Sequence, residues 1–364
     1  MRRPDALLTW FDQHRRDLPW RRTSDPYKIW LSEVMLQQTR VETVLPFYNR
    51  FLERFPKVED LARAELDEVL ALWSGLGYYR RARQLHAAAR QIAAAGVFPS
   101  TLEDLLALPG VGAYTAAAVA SIAFGVAEPV MDGNVERVLS RCLALDADPK
   151  ASGARKRLLA AAAELLDPRR PGDSNQALME LGATLCSPRR PKCLLCPLRP
   201  GCRASLEGDP ESYPVPKAKR EGERHRLLVA VVEDGEGVLL FRRPEDSTLL
   251  AGTWELPWVT LERDGAVETA DPGAALRERY GGRWRLGPRS GGVRHGITYR
   301  DLEVDVHRAE LAWGGEVREG MAAGFFDAAG RAGLPLSSLV GKVLGALEAT
   351  AEEAPARRSR SRRR

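Results

Sequence analysis

Two carboxylates, a set of cysteines and a glycine-rich turn are the residues through which this 364-residue chain could do chemistry. Glu33 sits in Ser32-Glu33-Val34-Met35-Leu36-Gln37-Gln38-Thr39, and Asp132 in Val130-Met131-Asp132-Gly133-Asn134-Val135. A carboxyl on a helix rich in Val, Met and Leu is open to a raised pKa through desolvation. Taken alone, Glu33 reads as an exposed helical residue or a cap partner, and Asp132 as the N-cap of a helix over 134–143. Together, one neutral acid and one ionised carboxylate would divide the labour of breaking a glycosidic bond.

Cys186, Cys193, Cys196 and Cys202 follow the pattern C-x6-C-x2-C-x5-C. Five cysteines in all are few for a disulfide framework, and four crowded together point to a metal or cluster site. Structural zinc stays open on this ground, although zinc sites usually pair two C-x-x-C knuckles and only Cys193–Cys196 is that close. Cys142 reads as a plain buried thiol. In Leu108-Pro109-Gly110-Val111-Gly112-Ala113-Tyr114-Thr115-Ala116, two glycines allow close approach of a ligand to the backbone. The helix that follows offers free N–H groups and the positive end of its dipole, which suits a phosphate.

These residues need helices to hold them. Apolar residues recur at helical spacing through 28–53, 61–73, 79–95, 102–107, 114–124, 134–143, 154–166 and 174–185, so residues 1–208 read as a helical domain. Asp209-Pro210, Tyr213-Pro214-Val215-Pro216 and the charge cluster after Lys217 mark a linker over 209–226. Beyond it, strands over 227–232, 238–242, 299–307 and 324–327, with helices near 273–280 and 336–349, predict an α+β domain over 227–350. An Arg-rich tail over 351–364 is expected to be disordered.

The charge is uneven: residues 1–208 hold 29 Lys+Arg against 24 Asp+Glu, residues 209–356 come to −6, and the last eight residues contain six arginines. Arg15-Arg16, Arg21-Arg22, Arg80-Arg81 and Arg189-Arg190 are candidates for phosphate contacts. A solvated surface explains such pairs equally well.

The 6-2-5 cysteine spacing resembles the [4Fe–4S] loop of the endonuclease III superfamily of DNA glycosylases, and LPGVGxxTA resembles its helix-hairpin-helix. SEVMLQQT, with Asp132-Gly133-Asn134, closely resembles the adenine DNA glycosylases of the MutY family across residues 5–208. The resemblance implies a bilobal, mostly helical catalytic domain with a DNA cleft, in which Gly110 and Gly112 seat a DNA phosphate. It implies a [4Fe–4S] cofactor on Cys186, Cys193, Cys196 and Cys202. By the same resemblance Glu33 protonates adenine at N7 and Asp132 stabilises or traps the sugar cation, with Tyr114 and Asn134 tuning that carboxylate and the water. Where lyases of this superfamily have lysine, this chain has Tyr114, which cannot form a Schiff base, so a monofunctional enzyme is expected.

A target base inside duplex DNA must be flipped out and its place filled. The resemblance gives plugging roles to Gln38 and Tyr78, an adenine-pocket role to Trp20, Arg21, Leu36 and Gln176, and places Thr39 and Leu76 near the opposing lesion. Ordinary core packing would account for Trp20 and Leu36 as well. Residues 227–349 resemble, more weakly, the Nudix-like (MutT-like) domain that reads 8-oxoguanine in that family. Leu276-Arg277-Glu278-Arg279-Tyr280-Gly281 lacks the carboxylates of a pyrophosphatase motif, so nucleotide hydrolysis is not expected. His295 matches the lesion-reading loop, while Arg294 replaces its usual serine and has donors for the lesion's O6 or O8, or for phosphate; a surface arginine is the plain alternative.

The expected function is removal of adenine mispaired with 8-oxoguanine or guanine in double-stranded DNA, by a monomer. Two rivals are kept: a thymine or uracil mismatch glycosylase of the same superfamily, and a non-catalytic, cluster-bearing DNA-binding protein. No apolar run approaches the ~20 residues that span a bilayer. Met1-Arg2-Arg3-Pro4 leads into a polar helix rather than a signal peptide, so a cytoplasmic, nucleoid-associated enzyme is expected.

Overall fold

A computed structural model describes residues 4–215, 221–312 and 321–360, with side chains on the last helix described up to residue 349. The chain divides into two compact units. One comprises residues 1–63 and 84–218, the other residues 64–83 and 219–364.

In order along the chain, the helices of the N-terminal half are α1 (Pro4–His14), α2 (Pro26–Leu36), α3 (Val41–Arg54), α4 (Val58–Arg63), α5 (Leu66–Trp73), α6 (Tyr79–Ala95), α7 (Leu102–Leu106), α8 (Ala113–Phe124), α9 (Gly133–Leu143), α10 (Ser152–Glu164), α11 (Pro171–Thr184) and α12 (Arg203–Glu207). The apolar stripe of α1 (Leu7, Phe11) packs with Val135, Leu139, Leu158, Leu178 and Leu181 from α9, α10 and α11 into one buried core. A second packed region around α2 and α3 buries Ile29, Trp30, Leu31, Tyr48, Phe51 and Phe55.

The helical run expected over 28–53 is broken. α2 stops at Leu36 and α3 starts at Val41, and between them Gln38 has φ +57. A positive φ cannot continue a right-handed helix, so the apolar periodicity crosses a turn that it does not reveal. The run over 61–73 likewise divides into α4 and α5.

In the second unit, one sheet has the order β6-β5-β1-β8-β7 and a smaller one runs β2-β3-β4, with β9 on β3. The strands are β1 (Glu223–Val231), β2 (Glu233–Asp234), β3 (Gly237–Arg242), β4 (Trp254–Glu255), β5 (Trp258–Arg263), β6 (Ala266–Val267), β7 (Arg283–Ile297), β8 (Arg300–Ala312) and β9 (Ala323–Phe326). Among the described strand pairs, β1 and β8 run parallel and the others antiparallel. β1 is central and apolar on both faces because alternate side chains point to opposite sides. Leu227, Val229 and Val231 join Val340, Val343 and Leu347 of α15 (Ser338–Arg360), while Leu228 and Ala230 join Leu276 and Tyr280 of α13 (Pro272–Tyr280). Between these helices, α14 (Ala328–Ala332) follows β9.

This is the expected α+β architecture with three differences. β7 was not expected as a strand: Pro288 and four glycines interrupt its sequence, and the ladder with β8 accommodates them through register shifts at Leu286/Arg289 and Arg289/Gly291. α15 runs on to Arg360, into residues expected as a disordered tail; their Ala, Glu and Arg favour helix, while Pro355 opposes it. Residues 361–364 lie outside the described ones. Finally, residues 64–83, placed by sequence in the helical domain, pack with the second unit, where Asp67 pairs with Arg242 at 2.8 Å and Arg83 with Glu245 at 2.8 Å.

Candidate active site

A cleft of about 950 Å3 opens in the first unit. Glu33, Tyr114, Asp132 and Asn134 line it, together with Trp20, Arg21, Leu36, Gln38, Thr39, Gln176, Gly110 and Gly112. Twelve residues named from the sequence thus share one cavity, of a size suited to a small organic group.

α2 carries Glu33 into this cleft almost wholly buried, 5% exposed. Tyr114, in the first turn of α8, donates its hydroxyl to Glu33 Oε2 at 2.6 Å and lies 3.2 Å from Met179 Sδ. Burial raises the Glu33 pKa from 4.5 to about 7; the Tyr114 hydrogen bond and Arg21 pull it down, and the charge of Asp132 adds to the rise. The Tyr114 phenol is pushed well above its ordinary value, first by burial and then by Glu33. It therefore stays a hydrogen-bond donor.

Asp132 is the N-cap of α9, as its local sequence suggests. Its Oδ1 accepts from the Val135 N–H at 2.7 Å and its Oδ2 from Asn134 Nδ2 at 2.9 Å. Burial raises its pKa, while those N–H donors and the Arg137 guanidinium oppose the rise. Two carboxyls in one cleft therefore differ in support: Glu33 has one donor, and Asp132 has several with a nearby cation.

Several lining residues were not picked out from sequence. Glu180 accepts from Arg16 Nη2 and Arg21 Nη2, both at 2.8 Å, and these bonds hold its pKa down at about 2 against burial. Arg137 donates to Asn134 Oδ1 at 2.8 Å, to Gly182 O at 2.9 Å and, through Nε, to Cys186 O at 2.8 Å. It stands three residues after Asn134, one helical turn on, and that spacing was the available signal. Gln37 donates to Thr115 Oγ1 at 3.1 Å.

Four of the eight paired arginines have partners within the chain. Arg16 and Arg21 are engaged by Glu180, Arg22 pairs with Asp17, and Arg81 is buried against Leu76 O and Gly77 O.

The glycine turn joins α7 to α8. Gly110 has φ +75, and a Cβ there would lie 2.6 Å from Gln84 Cβ, whereas Gly112 faces open space just before the first N–H groups of α8. Trp20 both lines the cleft and packs edge-on against Tyr48 at 5.2 Å, so its two readings hold together. Leu76, Tyr78, Arg294 and His295 belong to the second unit. Leu76 is buried and Tyr78 is 46% exposed with φ +52. His295 is buried, its Nε2 3.5 Å from Ser338 Oγ, with Lys342 Nζ 3.4 Å from the Arg294 carbonyl.

Cys186, Cys193, Cys196 and Cys202 line a second cavity, none of them in a disulfide, with Cys142 at its wall. Arg141, 2% exposed, donates to Cys186 Sγ at 3.3 Å, to Ser187 O at 2.7 Å and to Pro188 O at 2.9 Å. In a [4Fe–4S] cluster each of four thiolates has its own iron, and four cysteines line this cavity. A buried guanidinium beside the cavity suits an anionic thiolate cluster. The donor set fits the cluster that the resemblance implies.

Residues 31–163 match the model of the HhH-GPD superfamily of base excision DNA repair proteins. The adenine DNA glycosylase of Schizosaccharomyces pombe is 35% identical over 330 residues, 73% of this chain and 71% of that protein. The chain belongs to the adenine DNA glycosylase family. Its likeness to the mouse adenine DNA glycosylase is higher, 44% over 310 residues, but this covers 70% of the chain and 60% of the mouse protein. The human adenine DNA glycosylase is 42% identical, with 57% of its length covered. The chain thus spans about 60% of these mammalian family members. Among solved structures, a thermostable thymine-DNA glycosylase is similar with a TM-score of 0.52 at 32% identity, over 56% of this chain and 95% of that one.

Proposed function

We propose that this chain removes adenine mispaired with 8-oxoguanine or guanine in duplex DNA, hydrolysing the N-glycosidic bond and leaving an abasic site. The observation that carries the reading is the carboxyl pair. Glu33, raised to about 7, keeps a proton to give, and it shares one cleft with an Asp132 that several N–H donors support.

Adenine leaves poorly as an anion. Glu33 would deliver its proton to N7 of the flipped base, so that the base departs neutral and the bond electrons stay with it. The sugar then carries oxocarbenium character, which the Asp132 carboxylate stabilises or captures. Asn134 and the Val135 N–H orient that carboxylate, and Tyr114 fixes Glu33. Water adds at C1′ and completes the hydrolysis.

A lyase step would need an amine. The cleft position that could supply one is Tyr114, and the residues lining the cleft include no lysine among those described, which supports a monofunctional enzyme. Cys186, Cys193, Cys196 and Cys202 would hold a [4Fe–4S] cluster, which would brace the loop that Arg137 and Arg141 grip. The second unit would read the opposing lesion through His295 and Arg294, with Gln38 and Tyr78 filling the vacated stack.

The test uses duplexes containing A:8-oxoguanine, A:G, T:G and U:G, with alkali to break abasic sites. Breaks are expected in the first two, and only after alkali. Activity confined to T:G or U:G would replace adenine by thymine or uracil; thymine is the base in the name of the structural relative above. Breaks before alkali would refute the monofunctional reading.

A further inference from the structure

The turn between α5 and α6 is held in an unusual conformation. Gly75, Gly77 and Tyr78 have φ of +104, +72 and +52. Two glycines accept this freely, but a tyrosine does not, so bonds around it must hold Tyr78 in place. Within the turn, Trp73 Nε1 donates to Gly77 O at 3.0 Å, Arg81 Nη2 donates to Gly77 O at 3.3 Å, and the Arg81 guanidinium lies 5.3 Å from the Tyr78 ring.

Bonds from the turn to residues far along the chain complete the clamp. Tyr79 donates its hydroxyl to the Leu336 carbonyl at 2.5 Å, and Ser74 Oγ donates to the same oxygen at 3.2 Å. Arg83 Nη2 donates to Ala251 O at 2.9 Å. The Leu336 carbonyl is itself fixed, because Trp254 N donates to Pro335 O at 2.8 Å and Ser337 N to Trp254 O at 3.2 Å, pinning residues 335–337 to β4. A continuous path therefore runs from β4 through Leu336 and Tyr79 to the exposed Tyr78.

We infer that Tyr79 is a positioning residue through which the α+β unit sets Tyr78 for insertion into the DNA stack. This rests on the reading of Tyr78 as a plug given above. Its consequence is that the α+β unit contributes to base extrusion itself, apart from any contact it makes with the lesion.

Tyr79→Phe removes one hydroxyl and keeps the ring, so the test is a cycle in the full-length chain: parent, Tyr79→Phe, Tyr78→Ala and the double variant. Two readouts serve. One is single-turnover excision from A:8-oxoguanine duplex. The other, independent of chemistry, is the fluorescence of 2-aminopurine beside the mispair, recorded in a Glu33→Gln background. Tyr79→Phe is expected to lower both the rate and the fluorescence gain, the rate by about tenfold, and to have no further effect once Tyr78 is Ala, because residues acting as a unit are non-additive. Ser74→Ala should act in the same direction, more weakly. Tyr79→Phe within twofold of parent, or a loss that adds to that of Tyr78→Ala, overturns the inference while leaving the plug intact. A Tyr78→Ala chain that opens the stack like the parent removes the plug reading, and this inference with it. A parent that brightens 2-aminopurine but excises no adenine refutes the substrate and leaves the positioning role standing.

Discussion

Glu33, the proposed acid, is kept protonated at the expense of the fold. Its proton is bound more tightly in the folded chain, with a pKa of about 7 against 4.5. Between those values the native state holds the proton and the unfolded state has released it, so stability falls as pH rises. The contribution is fully present below about 4.5, and above about 7 the buried carboxylate costs up to about 3 kcal/mol. Glu33→Gln removes that dependence while leaving an acceptor for Tyr114. It should melt several degrees higher than the parent at pH 8 and only slightly higher at pH 5, while excision falls by roughly a hundredfold or more. Equal melting temperatures across this range would remove the buried acid. The parent's excision rate should itself decline as pH rises through about 7, as the proton on Glu33 is lost.

At the scale of elements, the two glycines between α7 and α8 separate stability from binding. Gly110→Ala meets Gln84 and a φ of +75, so the protein should lose roughly 1–3 kcal/mol, read as a lower melting temperature. Gly112→Ala has an ordinary φ and open space. It should melt like the parent but bind duplex DNA several-fold more weakly, because its methyl stands where a phosphate would approach the N–H groups of α8. Unchanged affinity in Gly112→Ala would move the phosphate elsewhere. The turn was legible in sequence because its glycines, flanking helices and Tyr114 are local. The same holds for the Asp132 cap and the α+β alternation around β1. The Arg16–Glu180 and Arg21–Glu180 pairs, the Leu336 tie and the break at Gln38 were not, since they depend on residues far apart in the chain or on one backbone angle that periodicity ignores. Arg16, Arg21, Arg22 and Arg81, half of the arginines in the basic pairs, have partners within the chain, which no count of charges reveals.

Across the whole molecule, α9 ties the two cavities of the first unit together. Its first residues hold Asp132 and Asn134, and one turn later Arg137 bonds both Asn134 and the Cys186 carbonyl. A turn further on, Arg141 grips Cys186, Ser187 and Pro188 and also reaches Tyr213 O at 3.0 Å, beyond the last cysteine. A guanidinium so deeply buried is costly without an opposing charge. Among the described residues it pairs with no carboxylate; its anionic partners would be the thiolates, deprotonated when they bind iron. Protein purified without oxygen should therefore carry about four irons per chain and absorb near ~400 nm. Stripping the metal should lower the melting temperature and loosen Asp132 together with the loop, since the same helix anchors both. Arg141→Met should relieve the buried charge in the stripped form, narrowing the gap in melting temperature between the stripped and loaded proteins. One zinc per chain and no iron would refute the cluster, and an unchanged gap in Arg141→Met would show that the thiolates do not balance this cation.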